Sequence, residues 1–207
     1  WRSAVTPALL CESGKYSSGT AICVRSSYGV DAVSSTDLIR NEFTVVEGRA
    51  SACIVRGLFP GGLLCVSIYL VTGLAISHPR NWNILIKVAE LVKSLDMAFI
   101  IGGDFQNSPQ AVASSHFLEI VNGSLFSSKH GTYRKSTFSA AYSWIDMFVV
   151  STHFDHAVLD CSAILDSSVS PHLPIGLTIS GRPRASRVTT LRTPKKFPRS
   201  VPYGHER

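Results

Sequence analysis

Four polar side chains stand where apolar runs begin or end. Asp104 follows "MAFII" (97–101) and two glycines, with Gln106 two residues further on; Asp146 lies inside "SWIDMFVVS" (143–151); His172 stands just ahead of "LPIGLTIS" (173–180). Tyr69, in "VSIYL", is a fifth candidate. Carboxylate, amide, imidazole and phenol groups can orient or deprotonate a water and donate to an anionic group. Taken singly, each has a plainer structural role. Asp104 can bond turn amides, Asp146 can be an isolated polar strand residue, Tyr69 can be core, and His172 between two prolines can be a loop residue. Convergence of the set at one place is what would make it a site.

The elements that must position them are read from hydrophobic periodicity. Strands are expected at "TAICVRS" (20–26), "ASACIVRGL" (50–58) and "LLCVSIYL" (63–70), the last two joined by the turn Phe59-Pro60-Gly61-Gly62. In "NWNILIKVAELVKSL" (81–95), Leu85, Val88, Val92 and Leu95 recur at helical spacing while Asn83, Lys87, Glu90 and Ser94 hold the other face. That pattern predicts an amphipathic helix lying on a sheet. The continuous run "MAFII" suits a strand covered on both faces. Gly102 and Gly103 are read as letting the chain turn at its rim, and Ser108-Pro109 as the cap and first residue of a helix from 109 to about 121. Further strands are expected at 143–151, 161–166 and 173–180.

The chain has 207 residues, 45% hydrophobic and 16% charged, enough for one domain with a real core. Its net charge of +6 is uneven: residues 182–207 hold eight Lys/Arg and one acid, leaving twelve against thirteen in residues 1–181. The division is therefore a domain over 1–181 and an extended Arg/Pro-rich tail over 182–207. Five cysteines, an odd number without CxxC spacing, argue against a disulfide framework or a zinc finger and for a reducing, intracellular compartment. Cys23, Cys53 and Cys65 are read as small core residues. The uncharged stretch 63–76 has only fourteen residues, short of the roughly 20 that a membrane span needs. It reads as a buried strand running into a loop, and no membrane partner is expected. The start "WRSAVTPALL" lacks an initiating Met and a signal-peptide pattern, and is expected to be a truncation.

In order, Gly-Asp104-Phe-Gln106, Ser143-Trp-Ile-Asp146 and Ser170-Pro171-His172-Leu-Pro-Ile resemble signatures of the endonuclease/exonuclease/phosphatase superfamily. Those signatures are Gly-Asp-Phe-Asn, Ser-x-Ile-Asp-Tyr and Ser-Asp-His-x-Pro-Ile. "SSGTAICVR" is similar to the family's Gly-rich strand entry and "VSIYL" to its Tyr-bearing strand. The resemblance covers most of residues 1–180. It implies a four-layered α/β sandwich of the DNase I type: two packed, mainly antiparallel sheets with outer helices, here lacking the first strand-helix unit. It also implies hydrolysis of phosphodiesters with Mg²⁺ or Mn²⁺. Asp104 would orient or activate the water, and Gln106, His172 and Tyr69 would contact the phosphate, with His172 held by Asp146.

Three departures bear on catalysis. Gln106 replaces an Asn; in an extended strand end it would still share a face with Asp104, whereas Asn107 would not. Pro171 replaces the carboxylate that assists metal binding in the family, leaving only a backbone carbonyl. The family's metal-binding Glu has no good counterpart, since Glu12 lies in a loop-like run. Metal binding is accordingly expected to be weak or lost.

The leading expectation is a metal-dependent phosphodiesterase acting on nucleic acid, DNA rather than RNA, of retroelement origin. Its alternative is an impaired copy of that fold serving as a nucleic-acid-binding or protein-interaction module. The basic tail is expected either to bind nucleic acid by releasing counterions, or to be a solvated, disordered segment or a nuclear-targeting one.

Overall fold

A computed structural model describes residues 1–10, 14, 16–33, 43–134 and 142–181. Glu12 and the tail 182–207 lie outside the described residues. First along the chain are β1 (Arg2–Thr6) and β4 (Thr20–Val24), an antiparallel pair enclosing the small hairpin β2 (Leu9–Leu10) and β3 (Tyr16–Ser17). The main sheet has seven strands. It comprises β5 (Gly29–Asp31), β6 (Thr44–Val46), β7 (Ala50–Arg56), β8 (Leu63–Tyr69), β9 (Phe99–Asp104), β10 (Gly123–Ser127) and β11 (Asp146–Ser151). Their order is β10-β11-β9-β8-β7-β5, with β6 also pairing with β7. A third pair, β12 (Val158–Ala163) and β13 (Ile175–Ile179), is antiparallel.

Among the described residues every strand pairing is antiparallel except β8 with β9. A parallel neighbour requires a crossover, and helix α1 (Pro79–Leu95) supplies it. The helix begins two residues before the periodic stretch: Pro79 takes the first position, and His78 Nδ1 accepts from the Arg80 N–H at 3.2 Å. Ile84, Leu85, Val88, Ala89 and Val92 are buried against the sheet. Burial of each large side chain stabilises by roughly 1.5–3 kcal/mol. The expected helix 109–121 is two short ones, α2 (Pro109–Ala113) and α3 (Phe117–Val121), interrupted where His116 takes φ +60°. Ser108 caps the first, its hydroxyl accepting from the Ala111 N–H at 3.3 Å.

Strand alternation divides the core. Ala52, Ile54, Val66, Ile68, Ile101 and Met147 point toward the helices, in one cluster with Leu85 and Val88. Cys53 and Val55 point the other way and pack on Ala4 and Val24 of the β1–β4 pair. Val150, with Ile100 and Phe148, meets Leu177 and Ile179 of β13. Helices thus lie outside the large sheet on one face, and two smaller β layers cover the other.

Two local readings are corrected. Cys23 is exposed, because Ile22 and Val24 rather than Cys23 face the core. Gly102 and Gly103 do not turn the chain; both lie within β9. A Cβ on Gly103 (φ +152°) would stand 2.0 Å from the Ile68 carbonyl oxygen, and one on Gly102 would stand 2.7 Å from the Phe148 ring. These glycines let backbone and ring approach the strand. The stretch 63–76 is strand to Tyr69 and irregular beyond, and no helix among the described residues is long and apolar enough to cross a membrane. Burial pushes the Cys53 thiol up to about 11 and the Cys65 thiol up to about 12, so both stay protonated at neutral pH.

Candidate active site

Register places three of the candidate side chains in one row. Parallel pairing sets Tyr69 of β8 opposite Asp104 of β9, and antiparallel pairing sets Asp104 opposite Asp146 of β11. Their alternation matches Cys65, Ile100 and Phe148, which face the second β layer, while Ile68, Phe105 and Met147 face the helices. The three side chains therefore leave the same face of the sheet, at the same end.

His172 reaches this row from the loop before β13. Its Nδ1–H donates to Asp146 Oδ2 at 3.0 Å, with Oδ1 at 3.3 Å; an ionised carboxylate can only accept, which fixes the direction. Tyr69, Asp104, Asp146 and His172 line one cavity of about 660 Å³, whose walls include Ser17, Gly19 and Ile175.

Three residues not singled out in the sequence hold the arrangement. Buried Thr132 accepts at its hydroxyl from the N–H groups of Ile145 (3.3 Å) and Asp146 (3.1 Å). Its carbonyl accepts from Leu173 N–H at 2.6 Å, and its neighbour Tyr133 bridges to His172 with ring centroids 4.9 Å apart. The segment 132–133 thus ties the Asp146 strand to the His172 loop. Asn81, fully buried on α1, accepts from Val71 N–H at 2.7 Å and donates to the carbonyls of Leu74 (3.1 Å) and Ala75 (3.2 Å). It fixes the loop that leaves Tyr69. None of these contacts follows a hydrophobic period, and a lone Thr or Asn carries no other sequence signal.

Gln106 meets Asp104 by a different route from the extended one expected. The strand ends at Asp104 and Gln106 takes φ +53°, so its backbone N–H donates to Asp104 Oδ1 at 2.9 Å and its side-chain amide donates to Oδ2. The amide is engaged by the carboxylate. Asn107 turns away, donating to the Phe105 carbonyl at 2.9 Å. At Pro171 the carbonyl accepts from Arg134 N–H at 3.1 Å.

Burial pushes the Asp104 carboxyl up to about 6, and the charge of Asp146 adds to this. The Gln106 hydrogen bonds and His172 pull the other way. His172 is raised above its ordinary value, chiefly by its hydrogen bond to Asp146, with burial opposing. Donor atoms of Asp104, Asp146 and His172 lie within 4.8 Å of one another, a group that could hold a metal ion. Two half-buried carboxylates side by side, the charge of Asp146 raising the proton affinity of Asp104, suit a divalent cation, which prefers such oxygens. The donor set fits, with two anionic residues.

No family model and no curated protein matches the chain. Solved structures do. The endonuclease domain of TRAS1, a telomere-specific non-LTR retrotransposon, aligns at TM-score 0.61 and 12% identity, covering 92% of this chain and 83% of that one. The AP endonuclease LMAP from Leishmania major aligns at TM-score 0.56 and 14% identity, covering 84% and 69%. The 3'-5' exonuclease NExo from Neisseria meningitidis aligns at TM-score 0.54 and 18% identity, covering 78% and 75%. At these identities the shared property is the fold, the DNase I-like α/β sandwich of endonuclease/exonuclease/phosphatase proteins.

Proposed function

We propose that this chain is a metal-dependent phosphodiester hydrolase acting on nucleic acid, with DNA as the substrate and a retroelement endonuclease as its origin. The observation that carries the reading is the row Tyr69–Asp104–Asp146 with His172 hydrogen-bonded to its end, opening into a single cavity. Asp104 orients the attacking water and takes its proton. His172, with Nδ1–H committed to Asp146, offers Nε2 to a phosphoryl oxygen, where a donor stabilises the charge that accumulates as the bond breaks. Tyr69 adds a phenolic donor to the same oxygens. Gln106 acts through Asp104 as a positioning residue. Mg²⁺ or Mn²⁺, held by carboxylate oxygens of Asp104 and Asp146, would neutralise developing charge on the phosphoryl group.

A second reading, a nucleic-acid-binding module with impaired turnover, is favoured by the position of Pro171, whose carbonyl is engaged by Arg134, and by the Gln106 amide bonded to Asp104. Plasmid nicking separates the two. Metal-dependent nicking lost in Asp104→Ala and in His172→Ala supports the hydrolase, and binding without nicking in the wild type supports the module.

A further inference from the structure

Beside the candidate active site lies a groove of about 370 Å³ lined by Arg49, Arg80, Asn83, Ser17 and Ser18, together with apolar side chains. Ser17 and Ser18 also line the cavity that holds Asp104 and His172, so the two spaces adjoin. The backbone extends the catalytic row into this groove. The Arg49 carbonyl accepts from Tyr69 N–H at 2.9 Å, one position beyond Asp146–Asp104–Tyr69, and the Arg49 guanidinium lies over the Tyr69 ring, 5.1 Å from its centroid.

The groove's chemistry is that of an anion site. Among the described residues its lining has two guanidinium groups, an amide and two hydroxyls, and no carboxylate. Among the described residues neither arginine pairs with an acid; Arg49's side chain makes a single long hydrogen bond, 3.4 Å, to the Leu70 carbonyl. The two walls are held close by Gly48, at φ +63°, where a Cβ would stand 2.6 Å from Leu9 and 2.8 Å from the Ser18 hydroxyl. Gly19 N–H donates across to the Gly48 carbonyl at 2.8 Å. The near-neutral net charge of residues 1–181 conceals this local arrangement.

We propose that the Arg49–Arg80 groove is a subsite for a second backbone phosphate of the same nucleic-acid strand, adjoining the one at Asp104 and His172. This rests on reading the Asp104 cavity as a phosphodiester site. Guanidinium forks match phosphate oxygens, and contacts of this kind set register without reading bases.

The test is binding of a fluorescent oligonucleotide to the full chain in EDTA, across a range of salt. Arg80→Gln, on the exposed surface of α1, and the double change Arg49→Gln/Arg80→Gln should each weaken binding alike for unrelated sequences, the double by roughly tenfold. The double should also reduce the log–log salt slope by about 1. A single neutral methylphosphonate linkage, moved along the strand, should find one position that costs the wild type a similar factor and costs the double variant nothing. Variants that match the wild type in affinity and slope would overturn the subsite alone. A wild type that neither binds nor nicks nucleic acid would overturn the active-site reading and the subsite with it.

Discussion

At the scale of single residues, Asp104 carries a conflict between its proposed role and stability. Folding raises its carboxyl from 3.8 to about 6, so the fold favours the protonated form. The stability that comes with that preference is complete below pH about 4 and is lost as pH rises through about 6. At pH 7.5 the ionised carboxylate, half-buried beside Asp146, is a net cost. Asp104→Asn keeps the shape and removes the charge. It should stabilise the protein by about 1–2 kcal/mol at pH 7.5, less than the full shift implies because water still reaches the group, and leave it unchanged near pH 4. Urea denaturation at the two pH values checks this, and an equal change at both would assign the effect to something other than the charge. Gln106 shows why the residue scale is hard to read from sequence. Its spacing from Asp104 was legible, but the positive φ that folds its amide onto the carboxylate has no pattern in the letters.

At the scale of elements, the site depends on β8 and β9 lying in parallel, close register, and Gly103 is where that closeness is greatest. Gly103→Ala puts a methyl 2.0 Å from the Ile68 carbonyl oxygen, backbone that cannot yield without breaking the pairing. We expect a loss of about 3 kcal/mol or more, or failure to fold. Gly61→Ala, where no atom lies within 4 Å and only the positive φ is at issue, should cost roughly 1 kcal/mol. Similar losses in the two variants by chemical denaturation would contradict the close-approach account. The strands that build this region were the most legible ones. Within them, 52–55, 63–66 and 99–101 are apolar without interruption because both faces are covered, and 79–95 shows its helical stripe because only one face is. Strand β1, alternating exposed and buried over five residues, and β10, half-buried throughout, lacked that contrast. The link from Asp146 to His172 runs from the Thr132 hydroxyl through the backbone pairing of Thr132 and Tyr133 with the His172 loop, and a lone Thr in a loop carries no pattern in the letters.

At the scale of the whole molecule, charge is unevenly distributed along the chain. Residues 1–181 carry nearly balanced charge, and eight Lys/Arg lie in residues 182–207. On the reading that this tail contacts phosphates, removing it should flatten the log–log salt dependence of DNA binding, by about 0.9 for each phosphate it neutralised. A slope unchanged by the deletion would remove the tail from the binding account. The body's own contribution is the row that Tyr69, Asp104 and Asp146 form and that His172 closes. The measurement that tests it most directly is nicking of supercoiled plasmid by the full chain in Mg²⁺ or Mn²⁺. Nicking that requires the metal and falls at least about a hundredfold in Asp104→Ala and in His172→Ala is the predicted result. Nicking that persists in both variants, or its absence from a folded wild type at any metal concentration, would contradict the account.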